Sequence, residues 1–517
     1  MFRSIRLHCT AILLSLVGTV NAVEVKPEIN GTFEDADRAA VRAYVTQTTR
    51  STFPSQDAFC GPGSTNTGCV PSTYWVGLIQ GQDYSPRGDP NTVQYIIVQD
   101  LIVKDSAAYG VWVGRNNDYV RLSNLDVQYI AHGGLISGVE AWFHMYDNNT
   151  VTNTNYCAMW FRARTQSVQV DAALIPDACE VDWPGAVSMA QNGPNTQYNY
   201  TPNTGAYSSL INNLVYNSFG EGIVASGTHN HHWAGNTVVN TRVGLYAAEG
   251  GAHLVEGNIA MKLPSSDPDF NDIGAGIQTF WPTSGWYPVM FSGIDSTVET
   301  DIAKEKDTRK NTFRNNFVLG VPNCMVLSHG FTSTWDGLSQ VGGIFYNNVC
   351  LHSTGRDLYV GEGPAAYDDV IFRNNVMYSP NATNAPDCTP SGTATTQTIS
   401  HNHWYTNPAD SNCDGTGDTY GKPSFSTDPD TLLPSGLTYP ANSPDFTDIV
   451  PSGSLLNSGT PLITNSTVFN NTDYPWFNSY TAPSNYNGTL WVKLNDIDHD
   501  GTDRNDTTPD KGAVEVP

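Results

Sequence analysis

Side chains able to neutralise a carboxylate or to move a proton recur at one fixed offset from short apolar strands. Counting five residues on from the position before each strand, Gly110-VWVG leads to Arg115, Cys157-AMWF to Arg162 and Gly244-LYAA to Glu249. The same count takes Gly276-IQTF to Trp281, Cys324-MVLS to His329 and Asp357-LYVG to Glu362, while Gly222-IVAS reaches Gly227. Guanidinium groups bind carboxylates through paired hydrogen bonds, and His, Tyr and Glu are ordinary proton carriers in enzymes. The set suits removal of a proton beside a carboxylate. Arg115, Arg162 and Arg164 would neutralise the acid, and His329, Tyr246, His231 or Arg164 would serve as base or acid. Glycoside hydrolysis would instead need two carboxyls about 5–9.5 Å apart. Glu249 and Glu362 fall three repeats apart, so a hydrolytic pair needs help from a loop.

Side chains that recur once per unit must be carried by an element that recurs with them. YIIVQDLIVKDSAAYGVWVGRNN, DYVRLSNLDVQYIAHGGLISG and WFHMYDNNTVTNTNYCAMWFRAR follow one another, and LINNLVYNSFGEGIVASGTHN, HHWAGNTVVNTRVGLYAAEGG, NTFRNNFVLGVPNCMVLSHG and VGGIFYNNVCLHSTGRDLYVGEG come later. Each holds three short strands, with Asn or Asp near a bend. Such strands bury no face alone, whereas stacked units bury a continuous core. Equivalent positions of stacked coils lie about 4.8 Å apart, so the charged positions should form one vertical file. Two residues after each anchor comes a second file: Trp112, Met159, Val224, Tyr246, Gln278, Val326 and Tyr359. It should face outward if Leu245 and Leu358 face in. Trp112, Trp281 and Tyr359 would then offer ring faces to sugars beside Arg115, Glu362 and His231 as polar contacts.

The Asn212-Asn213, Asn315-Asn316, Asn347-Asn348 and Asn374-Asn375 steps, with the strands around them, resemble the right-handed parallel β-helix superfamily of secreted carbohydrate-active proteins. The resemblance spans about residues 91–405 and implies an all-β solenoid. It also implies a polysaccharide as partner and a lyase acting on a uronate polymer as the first expectation. Glycoside hydrolysis is the second, and non-catalytic glycan binding, as in an adhesin, the third.

The remaining features bound that expectation. Arg3 and Arg6 precede an apolar run ending at Val20-Asn21-Ala22, the pattern of a signal peptide over residues 1–22. The formal charge of −25 becomes −27 without those two arginines, which argues against nucleic acid or an anionic membrane as partner. Eight cysteines follow the leader, and their order suggests Cys60–Cys69, Cys157–Cys179, Cys324–Cys350 and Cys388–Cys413 as disulfides of an exported monomer. Residues 23–90 read as a cap and first coils. Two excursions, 166–206 and 263–310, interrupt the coils, and 406–517 reads as an irregular segment returning to the solenoid. In HNHHW, His229, His231 and His232 allow a metal or a substrate contact. Asp496, Asp498, Asp500 and Asp503 open like a calcium loop, but Thr507 stands where a complete loop has Glu. Calcium would be structural there.

Overall fold

The computed structural model describes residues 26–30, 94–106, 109–113, 118–130, 133–137, 144–154, 159–162, 208–226, 231–248, 253–264, 275–280, 311–328, 343–360, 370–384, 397–406 and most of 411–459, with a few short pieces elsewhere. From Gln94 the chain winds in coils of three strands. Gln94–Gln99, Ile102–Ser106 and Val111–Val113 form one coil; Asp118–Ser123, Asp126–Ile130 and Leu135–Ser137 form the next. Every strand pairs in parallel with its counterpart one coil on. The first strands alone make a ten-stranded sheet, and the second and third strands merge into one of nineteen. This is a parallel β-helix.

Apolar side chains at the middle of the first strands fix the stack. Leu122, Tyr146, Leu210, Trp233, Val255, Phe313, Phe345 and Phe372 are successive register partners and all face the interior. Both excursions fall between partners, since Tyr146 pairs with Leu210 and Val255 with Phe313. The chain leaves and re-enters without losing the register.

The Asn-Asn steps have a two-part cause. Each first residue sits at positive φ, as at Asn212 (54°), Asn315 (56°), Asn347 (55°) and Asn374 (55°), which turns the chain between first and second strands. Gly235 (64°) and Gly257 (60°) take the same place before Asn236 and Asn258. A Cβ on Gly235 would lie 2.4 Å from Asn212 Oδ1, so a larger residue there would have to displace the Asn212 side chain. Each second residue points inward and joins a ladder. Asn236 donates its N–H and its Nδ2 to Asn258 Oδ1 at 2.9 and 2.8 Å, and Nδ2 also reaches Leu210 O at 2.9 Å. The rungs are Asn149, Asn213, Asn236, Asn258, Asn316, Asn348, Asn375 and Asn402, joined in that order. Leu125 N–H donates into the first of them, and Asp418 accepts from the last.

The later second strands are apolar on both faces. In Phe317–Leu319, Val318 faces the interior while Phe317 and Leu319 face outward, and Val349–Leu351 and Val376–Tyr378 alternate likewise. The outward face is covered by Phe425, Leu432, Phe446, Ile449 and Leu455, with Phe446 against Phe317 at 5.1 Å. Tyr378 donates to Asp430 at 2.5 Å and His352 Nε2 bonds Pro429 O at 2.7 Å, which ties the C-terminal stretch to the coils. No helix among the described residues is long and apolar enough to cross a membrane.

Cys324–Cys350 and Cys388–Cys413 are disulfides, the former inside the solenoid between successive coils. The other two expected pairs each include a residue outside the described ones. Replacing Cys324 and Cys350 together with Ala should cost about 2–4 kcal/mol, read as a lower midpoint in urea.

Candidate functional site

The third strands carry the outward file expected to border a sugar. Trp112, Ile136, Trp160, Val224, Tyr246, Gln278, Val326 and Tyr359 are its members in register. Their neighbours Leu245, Ala247, Met325 and Leu327 face the core, so this file faces away from it. Two corrections follow. Trp160, not Met159, belongs in the file, because Met159 pairs with Leu135 and Ile223, which makes Ala158 rather than Cys157 the anchor of that strand, and Leu135–Ser137 adds Ile136 to the file. Arg162 therefore pairs with Ser226, in the file of Ala248, Phe280 and Ser328, one residue short of the file that leads to Glu249.

Most of the described side chains in the file are covered rather than open. Trp112 is 8% exposed and packs on Tyr109 at 5.1 Å; Tyr246 is 5% exposed. Tyr359 is less buried and lies under the Arg356 guanidinium at 4.8 Å, a cation–π contact. Arg115, Arg164, Glu249, Trp281, His329 and Glu362 lie outside the described residues, as do Asp496, Asp498, Asp500 and Asp503. Among the described residues no group of three His, Cys, Asp or Glu side chains is placed to hold a metal ion.

His231 is not a surface contact. It is 1% exposed, its ring stacks on His253 at 5.1 Å, and Nδ1 accepts from Ser208 N–H at 3.0 Å. Its own N–H donates to His253 Nδ1 at 3.1 Å, and His253 N–H to Asn311 Oδ1 at 3.1 Å. It is a rung in a second interior ladder, ahead of the first strands.

Asp357, at the start of the third strand Arg356–Val360, is buried and accepts from Ser379 Oγ at 2.5 Å. Burial pushes its carboxyl up to about 6, against the opposing pull of Ser379 and Ser353. Held above its unfolded value, the proton favours the folded chain at low pH, and that stability is lost as the pH rises through about 6. Asp357→Asn keeps the acceptor and removes the charge, so it should stabilise the protein at neutral pH by about 1–3 kcal/mol and leave stability near pH 4 unchanged. Thermal unfolding at both pH values reads this.

A polar constellation that sequence reasoning missed lies on the first-strand face. His232 Nε2 meets Glu256 Oε1 at 2.7 Å, and Arg314 Nε donates to Glu256 Oε2 at 2.8 Å with Nη2 equally close. Glu256 and Arg314 are register partners on adjacent coils, and His232 stands one coil earlier at the other end of its strand. Burial pushes the Glu256 carboxyl up, but the Arg314 charge and the His232 hydrogen bond outweigh it and hold it at about 2. The group is a carboxylate throughout the physiological range.

No protein-family model matches the chain, and no curated protein matches it. Among solved structures it is similar to the catalytic unit of a thermostable GH87 alpha-1,3-glucanase from Streptomyces thermodiastaticus, at 13% identity and a TM-score of 0.34 over 68% of this chain. It spans about half (52%) of that unit. It is also similar to pectate lyase Pel9A, at 14% identity and a TM-score of 0.28 over 85% of this chain and 86% of the other. At those scores neither likeness bears on activity. Coil register and the asparagine ladder carry the fold assignment by themselves: the chain folds as a parallel β-helix.

Proposed function

We propose that the protein is an exported, monomeric enzyme that cleaves a uronate-containing polysaccharide by β-elimination at the ends of its third strands. The register of those strands carries the reading. Ala248, Phe280 and Ser328 are partners on successive coils, and the next residues in the chain are Glu249, Trp281 and His329. An acid, a ring and a base thus follow three strands that end level. Arg162, Arg164 and Arg115 neutralise the substrate carboxylate and offset the acidic field of the chain. His329 removes the proton beside the carboxyl. The electron pair forms the new double bond as the glycosidic oxygen leaves, and Glu249 returns a proton to that oxygen. Glu362, Trp281 and Tyr359 hold neighbouring sugars. Calcium on Asp496, Asp498, Asp500 and Asp503 would brace the C-terminal segment.

The test is a panel of acidic and neutral glycans incubated with the whole protein. The expected result is ultraviolet-absorbing unsaturated ends rising together with reducing ends. Reducing ends alone would mean hydrolysis, and neither would mean binding without catalysis. Glu249→Ala, His329→Ala and Arg162→Ala should each lower turnover without lowering the urea midpoint. Full turnover in all three would place the chemistry on another face.

A further inference from the structure

Two histidines inside the solenoid are held in a form that leaves no place for a second ring proton. They belong to the ladder ahead of the first strands, which has one rung per coil: His144, Ser208, His231, His253 and Asn311. The main-chain N–H of each rung donates to the side chain of the next. His144 reaches Ser208 Oγ at 3.2 Å, Ser208 reaches His231 Nδ1 at 3.0 Å, and His231 reaches His253 Nδ1 at 3.1 Å. A main-chain N–H only donates, so both Nδ1 atoms keep their lone pairs and each neutral ring carries its hydrogen on Nε2. A proton added at Nδ1 would set two donors face to face and break the rung. Both rings are 1% exposed and stack on each other at 5.1 Å, so burial and mutual repulsion also oppose a charge there.

Trp233 packs on His253 at 5.9 Å. Along the ladder, His144 comes two rungs before His231, with Nδ1 on Ser137 Oγ at 3.2 Å and its ring stacked on Tyr146 at 6.1 Å. His232, Glu256 and Arg314 share these first strands, but their neighbours Trp233, Val255 and Phe313 face the core, so alternation turns them away from it. The buried acids Glu221 and Asp357 stand at the starts of third strands.

We propose that His231 and His253 are an acid-sensing pair: the solenoid closes around them only while both rings are neutral, and falling pH works against closure. The ladder does not need an imidazole, since Asn311 Oδ1 takes the His253 N–H in the same way at 3.1 Å. What the imidazoles add is a response to pH. In the unfolded chain each binds a proton with a midpoint of about 6.5, whereas in the fold neither binds one without losing its rung. The unfolded state therefore holds more protons in acid. Stability falls as the pH drops below about 6.5 and is unaffected by the pair above it. The two coils concerned lie between the excursions and carry the strand Thr237–Ala248 that leads to Glu249. The device concerns closure of the fold and is independent of the cleavage reading.

The experiment measures urea unfolding of the full-length protein at about pH 7.5 and about pH 5, for the wild type, His231→Asn, His253→Asn and the double variant. Asparagine keeps the acceptor and does not titrate. Each histidine should raise the unfolding constant about thirtyfold between those two pH values. The ratio of wild-type to variant unfolding constants should therefore rise about thirtyfold on acidification for each single variant and about a thousandfold for the double. A ratio that is the same at both pH values overturns the proposal, because the rings would then act only by packing. If a variant does not fold, spectra of the wild type labelled with nitrogen-15 at histidine carry the test. Two rings that stay in the neutral Nε2–H form in the folded protein at about pH 5 uphold the pair. Protonation of every ring in the folded protein at that pH overturns it.

Discussion

Arg314→Ala should cost about 3–5 kcal/mol at neutral pH, because it leaves a buried carboxylate uncompensated. Glu256 would keep only its bond to His232, at 6% exposure. The pH profile separates this cause from lost packing. In the native protein Glu256 is held at about 2 against an ordinary value of 4.5, so its contribution is complete above 4.5 and lost as the pH falls towards 2. Without Arg314, the largest remaining influence is burial, which raises the carboxyl above its unfolded value. The variant should then be most stable below 4.5 and should lose stability as the pH rises. Urea midpoints at acidic and neutral pH would diverge between the two proteins. A parallel offset at all pH values would mean that the guanidinium acts by filling space.

Asn258→Leu keeps the branched outline of the side chain but none of its hydrogen bonds, and should cost about 4 kcal/mol or more, since each buried polar group left unpaired costs roughly 1–3. The N–H and Nδ2 of Asn236 would lose their acceptor, and Trp233 O and Asn316 Oδ1 would lose a donor. Asn258 N–H would still reach Asn316 Oδ1 at 2.9 Å, so the backbone turn survives. The damage falls on the side-chain chain of bonds alone, where cooperativity makes a break in the middle more costly than one at an end. Equilibrium unfolding compared with the same change at Asn149 would show this; equal costs would make the rungs independent.

The architecture was legible in the sequence because its causes are local and repeat. A residue that turns the chain at positive φ, followed by an amide that stacks inside, leaves Asn-Asn or Gly-Asn in most units. Runs such as Phe317-Val318-Leu319 are apolar throughout because they are buried on both faces, against the core and under the C-terminal stretch. The candidate site was less legible. One three-residue strand, Leu135–Ser137, escaped the alignment, and counting the next from Cys157 rather than Ala158 put Arg162 a step out of file. The side chain of His231 was read from its place in HNHHW, but the ladder at that bend turns it inward. His232, Glu256 and Arg314 come from three units separated by unequal lengths of chain, so no spacing links them. Aligning the first strands on Trp233, Val255 and Phe313 would have brought all three to one face.

The inner row of amides also has a head and a tail. Every carboxamide takes protons from the preceding turn and gives its own to the next, so all its dipoles run one way. The first member needs only a main-chain N–H, and an aliphatic residue, Leu125, fills that place. No asparagine follows the final member, Asn402, and there Asp418 gathers its N–H together with Trp404 Nε1 and Gly415 N–H. Duplication could therefore lengthen such a molecule at any internal turn without new chemistry. Ending it requires an anion.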